Sequence, residues 1–329
     1  MSSELPSVAG ACERVRAGDR RTVAKTITLL ESRRPDQAAR GQEILEKLVP
    51  YTGGSLRLGI TGAPGVGKST FIEALGLRLI EKGHRLAVLA VDPTSPRSGG
   101  SILGDKTRME RLAQDEAAFI RPSPSGGSLG GVAERTRETL LLTEAAGFDI
   151  VLVETVGIGQ SEVAVHSMVD CFTLLLQPGA GDELQGIKKG VLELADALVV
   201  TKADGELRRA AERSRAEYAH ALELLRPASP HWTPRVLAVS AVSGEGVDAF
   251  WEMVLAHRSA LEAAGALERK RRGQARAWMW SLVHEGLRAA FDGHPAVARR
   301  IPQAERDVED QKATPAAAAR RLLEAFLDD

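Results

Sequence analysis

The feature that most constrains the fold of this chain is a glycine-rich segment between an apolar run and a helical pattern. It consists of Gly62, Ala63, Pro64, Gly65, Val66, Gly67, Lys68, Ser69 and Thr70. Glycines let backbone N–H groups wrap around a phosphate, the lysine can reach the β- and γ-phosphates, and the serine hydroxyl can ligate Mg²⁺. The apolar run at residues 56–61 has the length of a strand, and the helical pattern continues to about Ile80. This order predicts a nucleoside triphosphate site in which Lys68 serves both binding and catalysis.

Further apolar runs of strand length recur along the chain, mostly separated by helical patterns. They lie at residues 86–91, 117–120, 150–153, 172–176, 197–200 and 236–239. A strand that returns after a helical crossover lies parallel to the first, and uninterrupted apolar runs are typical of strands buried on both faces. The sequence therefore predicts an α/β fold with a wound, mostly parallel sheet. We expect an N-terminal helical extension at 1–50, a nucleotide-binding domain at 51–262 and a C-terminal helical arm at 263–329.

Composition excludes several classes of function. The 329 residues carry a formal net charge of −1, so bulk electrostatics favour neither nucleic acid nor an anionic membrane as a partner. No apolar stretch approaches the about 20 residues that cross a bilayer. Cys12 and Cys171 lie far apart and cannot build a disulfide framework or a four-cysteine zinc site within one chain. The N-terminus lacks the apolar core of a secretory signal, and we expect a cytoplasmic protein.

A carboxylate follows the strand pattern at residues 150–153. Glu154 stands where a nucleotide site needs an acid that faces Mg²⁺. Gly157 can offer its backbone N–H to the γ-phosphate, a contact that hydrolysis removes. The alternative is a glutamate that only ends a strand and caps the next helix. If the glycine-rich segment binds phosphate, a role of Glu154 in the nucleotide site is favoured over this alternative.

The segment after the penultimate strand pattern has the chemistry needed to recognise a purine base. The Asp204 carboxylate can accept hydrogen bonds from both the ring N–H and the exocyclic amine of guanine, a donor pair that adenine lacks. Thr201 begins the segment, and the stem of Lys202 can pack over the purine face. The alternative is an ordinary turn after a strand. Ser240 and Ala241 follow the last strand pattern and would complete the pocket through backbone N–H groups, so GTP is favoured over ATP.

Two aspartates flank a loop rich in Pro, Ser and Gly after the second strand pattern. Asp92 ends the strand and is the stronger candidate ligand for Mg²⁺. Asp105 either joins it or serves as the N-cap of a helix that begins at Lys106. Arg108 either reaches a phosphate in one state of the loop, and so acts in catalysis, or lies on a solvated helix face. We expect Mg²⁺ and the γ-phosphate to order this loop.

Five segments of the chain together closely resemble those of the MeaB/ArgK-type GTPases, chaperones associated with methylmalonyl-CoA mutase. They are GAPGVGKST, AVDPTSPRSGGSILGDKTRM, RPSPSGGSLGG, VETVGIGQSE and VVTKADG, within residues 55–245. The resemblance implies a homodimeric P-loop GTPase that converts GTP and water to GDP and phosphate with Mg²⁺. It also implies a chaperone that binds an adenosylcobalamin-dependent acyl-CoA mutase, gates loading of the cofactor, and protects or reactivates the mutase.

The same resemblance places the chain near the GTPases that insert nickel into hydrogenase and urease. Such proteins often carry His-rich or Cys-rich segments, whereas the seven histidines of this chain are dispersed and neither cysteine forms a CxxC pair. Metal delivery is therefore the weaker alternative. A second alternative is a nucleotide-gated binding module in which hydrolysis only resets the state.

Slow basal hydrolysis is expected because Ile158, which cannot orient water, follows the glycine that would contact the γ-phosphate. Gln160 can take that role in catalysis only if its loop moves, and docking of the mutase is expected to complete the site. The glycine-rich and charged segment 177–190, with Asp182 and Lys188, is either a partner-responsive loop or an ordinary connection from a strand to a helix.

The C-terminal arm carries a helical apolar pattern. Its members are Trp278, Leu282, Leu287 and Phe291, with Trp280 on a neighbouring face. The two tryptophans either anchor a dimer interface or pack onto the chain's own core. The arm is thus a candidate dimerisation element.

Overall fold

The computed structural model describes residues 6–32, 34–91, 109–122, 129–155, 161–179, 189–223 and 229–327. Within these ranges seven strands form one sheet, and every pairing in it is parallel. The strands are β1 (Leu56–Gly62), β2 (Leu86–Val91), β3 (Ala118–Arg121), β4 (Ile150–Thr155), β5 (Cys171–Leu176), β6 (Ala197–Val200) and β7 (Arg235–Ala238). Their order is β3-β2-β4-β1-β5-β6-β7, which confirms the predicted wound α/β fold.

β1 lies in the middle of the sheet, between β4 and β5. Leu58 of β1 is in register with Leu152 of β4 and with Cys171 of β5. Every residue of β2, β4, β5 and β6 is buried, as uninterrupted apolar runs predict for strands that are covered on both faces. The same prediction is wrong for β7, in which no residue is buried, because β7 lies at an edge of the sheet. Because all strands are parallel, their carboxyl ends share one edge, and the glycine-rich loop after β1 lies at the centre of that edge.

Helices precede, connect and follow the strands. Before β1 lie α1 (Val8–Arg16), α2 (Arg20–Leu30) and α3 (Pro35–Leu48), followed by a 3-10 turn (Val49–Tyr51). Between strands lie α4 (Lys68–Glu81), α5 (Glu110–Gln114), α6 (Leu129–Ala145), α7 (Ser161–His166), α8 (Lys189–Leu194), a 3-10 turn (Gly205–Leu207) and α9 (Arg208–Glu223). After β7 lie α10 (Val247–Ala263), α11 (Ala266–Gly293), α12 (Pro295–Glu309) and α13 (Pro315–Leu327).

Two apolar clusters pack on the two faces of the sheet, and alternate residues of β4 and β5 belong to different clusters. The N-terminal helices contribute Ile27 and Ile44 to the first cluster. Helices α4 and α10 contribute Phe71 and Phe250 to the second, and the two rings meet edge to face with centroids 5.1 Å apart. The predicted N-terminal helical extension therefore covers one face of the sheet and shares its core.

The chain divides into two compact units, Met1–Arg271 and Arg272–Asp329. The second unit holds most of α11 together with α12 and α13. The helix breaks fall at His294 and before Pro315, as predicted, because proline is favoured in the first turn of a helix, where Pro295 and Pro315 stand. None of the helices described above combines the length and apolarity that spanning a bilayer requires. The predicted start of the C-terminal arm at residue 263 stays a prediction.

Candidate nucleotide site

The glycine-rich segment forms a tight loop between β1, which ends at Gly62, and α4, which begins at Lys68. Gly67 is the N-cap of α4 and has a φ of +98°, a left-handed conformation that residues with a Cβ rarely adopt. At Gly62 an added Cβ would lie 2.7 Å from the carbonyl oxygen of Leu175 in β5. The two glycines therefore fix where the chain leaves the sheet and how it enters α4.

The side chain of Lys68 lies inside this loop. It is buried, and its ammonium donates to the carbonyl oxygens of Gly62 at 2.8 Å and Ala63 at 3.1 Å. Val66 is fully buried, while Pro64 is exposed at the tip of the loop. The loop thus wraps around a positive charge at the N-terminus of α4, where the helix dipole also favours an anion.

Two hydrogen bonds join the predicted base-recognition segment to the loop. The buried hydroxyl of Thr201 donates to the carbonyl oxygen of Val66 at 2.7 Å. The ammonium of Lys202 donates to the carbonyl oxygen of Gly65 at 2.9 Å, from a backbone with a φ of +56°. Such a left-handed lysine is uncommon and marks a segment that its surroundings hold in place. The structure therefore brings the phosphate-binding and base-recognition candidates into direct contact.

Asp204 and Ser240 also meet directly. The Ser240 hydroxyl donates to the Asp204 carboxylate and accepts a hydrogen bond from the backbone N–H of Ser243 at 3.1 Å. The backbone N–H of Ser240 donates to the Glu245 carbonyl oxygen at 2.9 Å, so Ser240 faces the site with its hydroxyl. Ala241 is partly exposed in the following turn. The sequence patterns did not point to Ser243, although a serine three residues after another in a glycine-containing turn is a common hydrogen-bonding pair.

Glu154 and Thr155 end β4 beside β1. Glu154 is buried and lies in register with Ile60 of β1. The Thr155 hydroxyl shares a 2.7 Å hydrogen bond with the hydroxyl of Thr61, and both threonines are fully buried. The sequence patterns missed this pair, for which the available signal was the position of two threonines at the ends of parallel strands. The pair joins β1 to β4 where the loop begins.

The oxygen donors at this edge suit Mg²⁺. The hydroxyl of Ser69 is partly exposed in the first turn of α4, next to the exposed Thr70. The buried carboxylate of Glu154 ends the strand beside the loop. Hydroxyl and carboxylate oxygens are the ligands that Mg²⁺ prefers in proteins, so these residues fit the ion.

The remaining predicted site residues fall outside the part of the chain that the structure describes. They are Asp92, Asp105, Arg108, Gly157, Gln160, Asp182 and Lys188. Their roles in metal binding, catalysis and partner response stay predictions.

The parallel sheet, the lysine-bearing loop at its centre and the aspartate-bearing segment tied to that loop define a class, the P-loop GTPases. Residues 23–296 match the family described as methylmalonyl Co-A mutase-associated GTPase MeaB. The chain therefore belongs to the MeaB family.

Individual relatives agree with this assignment. A putative GTPase of Caulobacter vibrioides is 56% identical over 313 residues, which are 95% of this chain and 96% of that protein. The mitochondrial methylmalonic aciduria type A homolog of Mus musculus is 48% identical over 322 residues, 94% of this chain and 77% of that protein. A crystal structure of an LAO/AO transport system kinase has a TM-score of 0.80 and 39% identity, covering 99% of this chain and 100% of that one. The resemblance seen in the sequence is thereby confirmed.

Proposed function

We propose that this GTPase is a chaperone of an adenosylcobalamin-dependent acyl-CoA mutase of the methylmalonyl-CoA mutase type. It would act in the cytoplasm, gate loading of the cofactor, and protect or reactivate the mutase. The family description names this mutase, and the mouse relative is named for methylmalonic aciduria, which support the choice of partner. The observation that supports GTP binding is the pair of hydrogen bonds from Thr201 and Lys202 to the phosphate loop.

Recognition of guanine rests on Asp204. Its carboxylate would accept from the ring N–H and the exocyclic amine of the base, and the Ser240 hydroxyl orients it for this task. Lys202, which bonds to Gly65, brings the stem of its side chain between the base segment and the phosphate loop. Base recognition and phosphate binding are therefore mechanically linked, as a nucleotide-dependent switch requires.

Hydrolysis would proceed by in-line attack of water on the γ-phosphate. Lys68 stabilises the charge that develops on the phosphate oxygens, because its buried ammonium is already held inside the loop. The backbone N–H groups of the loop and of the first turn of α4 add further donors. The protein thus supplies a preorganised electrostatic site and needs no covalent intermediate.

Ser69 and Glu154 are the described residues that would hold Mg²⁺, with Asp92 and Asp105 as further predicted ligands. When bound, the ion neutralises charge on the β- and γ-phosphates. Glu154 lies one residue before Thr155, whose hydroxyl is fixed to Thr61 of β1. Any change in the coordination of Glu154 would therefore reach the start of the phosphate loop.

Dimerisation is expected through the C-terminal arm. Among the exposed large apolar side chains of the described chain, four lie on α11: Met279, Trp280, Val283 and Leu287. They recur at helical spacing and supply an apolar strip of the kind that homodimer interfaces bury. Light scattering at micromolar concentration should report a dimer, and a monomer would refute an arm-mediated assembly.

The central test is GTP hydrolysis by the full chain, measured as phosphate release with and without a purified adenosylcobalamin-dependent mutase. We expect slow turnover alone and a rise of about tenfold or more with the mutase, because docking completes the site. Lys68→Ala should lower both rates by about 10²- to 10³-fold, because it removes the ammonium that faces the γ-phosphate. Lys188→Ala should keep GTP affinity and reduce the stimulation.

Equal rates with and without the mutase would contradict the proposed coupling. Mutase protection is measured in parallel with GTP, GDP and ATP. Protection by Lys68→Ala in the presence of GTP would show that hydrolysis only resets a nucleotide-gated binding module. Equal protection with ATP and GTP would contradict the role assigned to Asp204.

A further inference from the structure

A second cluster of chemically reactive side chains lies at the opposite edge of the sheet, where the strands begin. Cys171 is the first residue of β5, Asp196 directly precedes β6, and His257 lies in α10. A thiol sulfur, a carboxylate oxygen and a ring nitrogen of these residues all lie within 4.8 Å of one another. We call this group the amino-edge cluster. The phosphate loop, at the carboxyl ends of the strands, shares no residue with it.

All three side chains of the amino-edge cluster are buried, with 1% of Cys171, 5% of Asp196 and 1% of His257 exposed. Neither ring nitrogen of His257 has a hydrogen-bond partner among the described residues. Its Nε2 lies 3.5 Å from Asp196 Oδ1, and its ring meets that of Trp232 edge to face with centroids 5.1 Å apart. The Asp196 carboxylate is thus the polar partner of a buried imidazole that makes no short hydrogen bond, and a ligand shared by the two side chains would satisfy both.

The surroundings hold the cluster in place. The Asp196 carboxylate accepts a hydrogen bond from the backbone N–H of Phe172 at 2.9 Å, and the Asp196 carbonyl accepts one from the indole N–H of Trp232 at 2.8 Å. The Lys270 ammonium lies 3.8 Å from Asp196 Oδ2. It donates a hydrogen bond to the Asp170 carbonyl oxygen at 2.6 Å, which fixes the position of the ammonium beside the carboxylate. Supporting contacts of this kind orient metal ligands in proteins.

A cavity of about 400 Å³ borders the cluster on the side of Asp196. Its walls include the polar side chains of Ser229 and His231 and the cationic side chains of Arg269 and Lys270. A hydrated ion that reaches Asp196 through this cavity would pass these two cations, and it would have room for one retained water.

We propose that Cys171, Asp196 and His257 form a Zn²⁺ site whose fourth ligand is water. Thiolate, imidazole and carboxylate are the ligands of tetrahedral Zn²⁺, and the thiolate disfavours Mg²⁺ and Ca²⁺. Bonds of about 2.0 to 2.3 Å place the ligand atoms of a tetrahedral site about 3.3 to 3.7 Å apart, so the separations between the three ligand atoms need to shorten by about 1.5 Å at most. The ion replaces the thiol proton, which leaves to solvent.

Such an ion would join β5, the turn before β6 and α10. It would therefore act as a structural tie at the amino edge and raise the thermal stability of the fold. Because the ligands belong to elements distant in sequence, the site would exist only in the folded chain, and binding would be coupled to folding.

The test uses the full chain after removal of metals with a chelator, in buffer with excess Mg²⁺, and Co²⁺ as the probe. We expect about one Co²⁺ per chain with a thiolate-to-cobalt charge-transfer absorption that Zn²⁺ abolishes. Ser69 and Glu154 offer only oxygen ligands and cannot produce this absorption. The experiment is therefore independent of GTP hydrolysis and of the proposed chaperone function.

Variants locate the site. Cys171→Ser should abolish the absorption, and His257→Gln, which keeps the thiol, should weaken Co²⁺ binding by at least about 100-fold. Cys12→Ser is the matched control, because Cys12 is partly exposed and only donates to the Ile44 carbonyl at 3.7 Å. Zn²⁺ should raise the melting temperature of the wild type and of Cys12→Ser but not of the other two variants.

Absence of the absorption in the wild type would overturn the proposal. So would an absorption that survives Cys171→Ser or disappears in Cys12→Ser. If Cys171→Ser fails to fold, as circular dichroism would reveal, unchanged Co²⁺ affinity of a folded His257→Gln would be sufficient to refute the site.

Discussion

The two edges of the sheet differ in how their polar groups are assembled. At the carboxyl edge, the phosphate loop and the base-recognition segment are short contiguous stretches, and their hydrogen bonds leave Asp204 partly exposed to a ligand. At the amino edge, the polar groups come from distant segments and are buried against each other. The comparison teaches that the candidate nucleotide site uses contiguous segments at one edge of this fold, whereas the other edge joins segments that are distant in sequence.

At the amino edge, Asp170 joins segments that are distant in the sequence. Its carboxylate accepts hydrogen bonds from Arg271 at 2.6 and 2.8 Å and from the backbone N–H of Arg57 at 2.9 Å. Arg271 also donates to the carbonyl oxygens of Gly53 at 2.5 Å and Ser55 at 2.6 Å. The start of α11 is thereby tied to the segment that enters β1 and to the residue before β5.

Arg271→Met should have the largest effect on stability. It leaves the nearly buried Asp170 carboxylate without its guanidinium partner, which costs about 3 to 5 kcal/mol in comparable buried pairs. Urea unfolding measures this loss, and the GTP affinity of the folded variant should stay within about twofold. Arg276→Met, an exposed position on the same helix, is the control and should change little. A large loss of GTP affinity in the folded Arg271→Met variant would contradict the view that the amino edge does not take part in nucleotide binding.

Glu138 lies in α6 on one face of the sheet, and we expect it to have a smaller, pH-dependent effect on the free energy of unfolding. Burial raises the pKa of Glu138 from 4.5 to about 7, against the opposing hydrogen bond from the Gln42 side chain. The Glu138 carboxyl loses its proton at about pH 4.5 in the unfolded chain but only at about pH 7 in the folded chain. Because the unfolded chain releases this proton first, the free energy of unfolding falls as pH rises from about 4.5 to about 7.

Glu138→Gln should remove that pH dependence. The stability of the variant relative to the wild type should rise by about 2.5 kcal/mol between pH 5 and pH 8, measured by urea unfolding at both values. The exposed Glu46→Gln serves as the control and should show no such gain. Equal stability differences at the two pH values would contradict the raised pKa, and a change in GTP affinity would extend the nucleotide site to this face.

Asp204→Asn should have the smallest free-energy effect and should act at the carboxyl edge alone. Loss of a charged acceptor for two guanine donors weakens GTP binding by about 10- to 100-fold, equivalent to about 1.5 to 3 kcal/mol. Affinity for ATP should not fall, and urea unfolding should match the wild type, because Asp204 is partly exposed. Calorimetric titration with GTP and with ATP measures the ratio of the two affinities. An unchanged preference for GTP would remove Asp204 from base recognition.

Several elements of the fold followed from local sequence pattern. The buried strands were predicted because an uninterrupted run such as β4 suits only a strand covered on both faces. The helix breaks at His294 and before Pro315 were predicted because proline acts within its own turn. The order of strands across the sheet did not follow, since periodicity shows which face of an element is apolar but not what packs against it. For the same reason periodicity predicted the helices before β1 but not that Ile27 and Ile44 join the core cluster on one face of the sheet.

The sequence by itself determined where the candidate nucleotide site lies, from Gly62 to Ser69 and from Thr201 to Asp204, because a loop of contiguous backbone groups and one helix N-terminus suffice to hold a phosphate. Only the tertiary structure decided the amino-edge cluster. Cys171, Asp196 and His257 are dispersed along the chain and looked unrelated, yet their ligand atoms lie within 4.8 Å of one another. Parallel strands joined by helical crossovers all begin at the same edge, so residues far apart in sequence are placed side by side there.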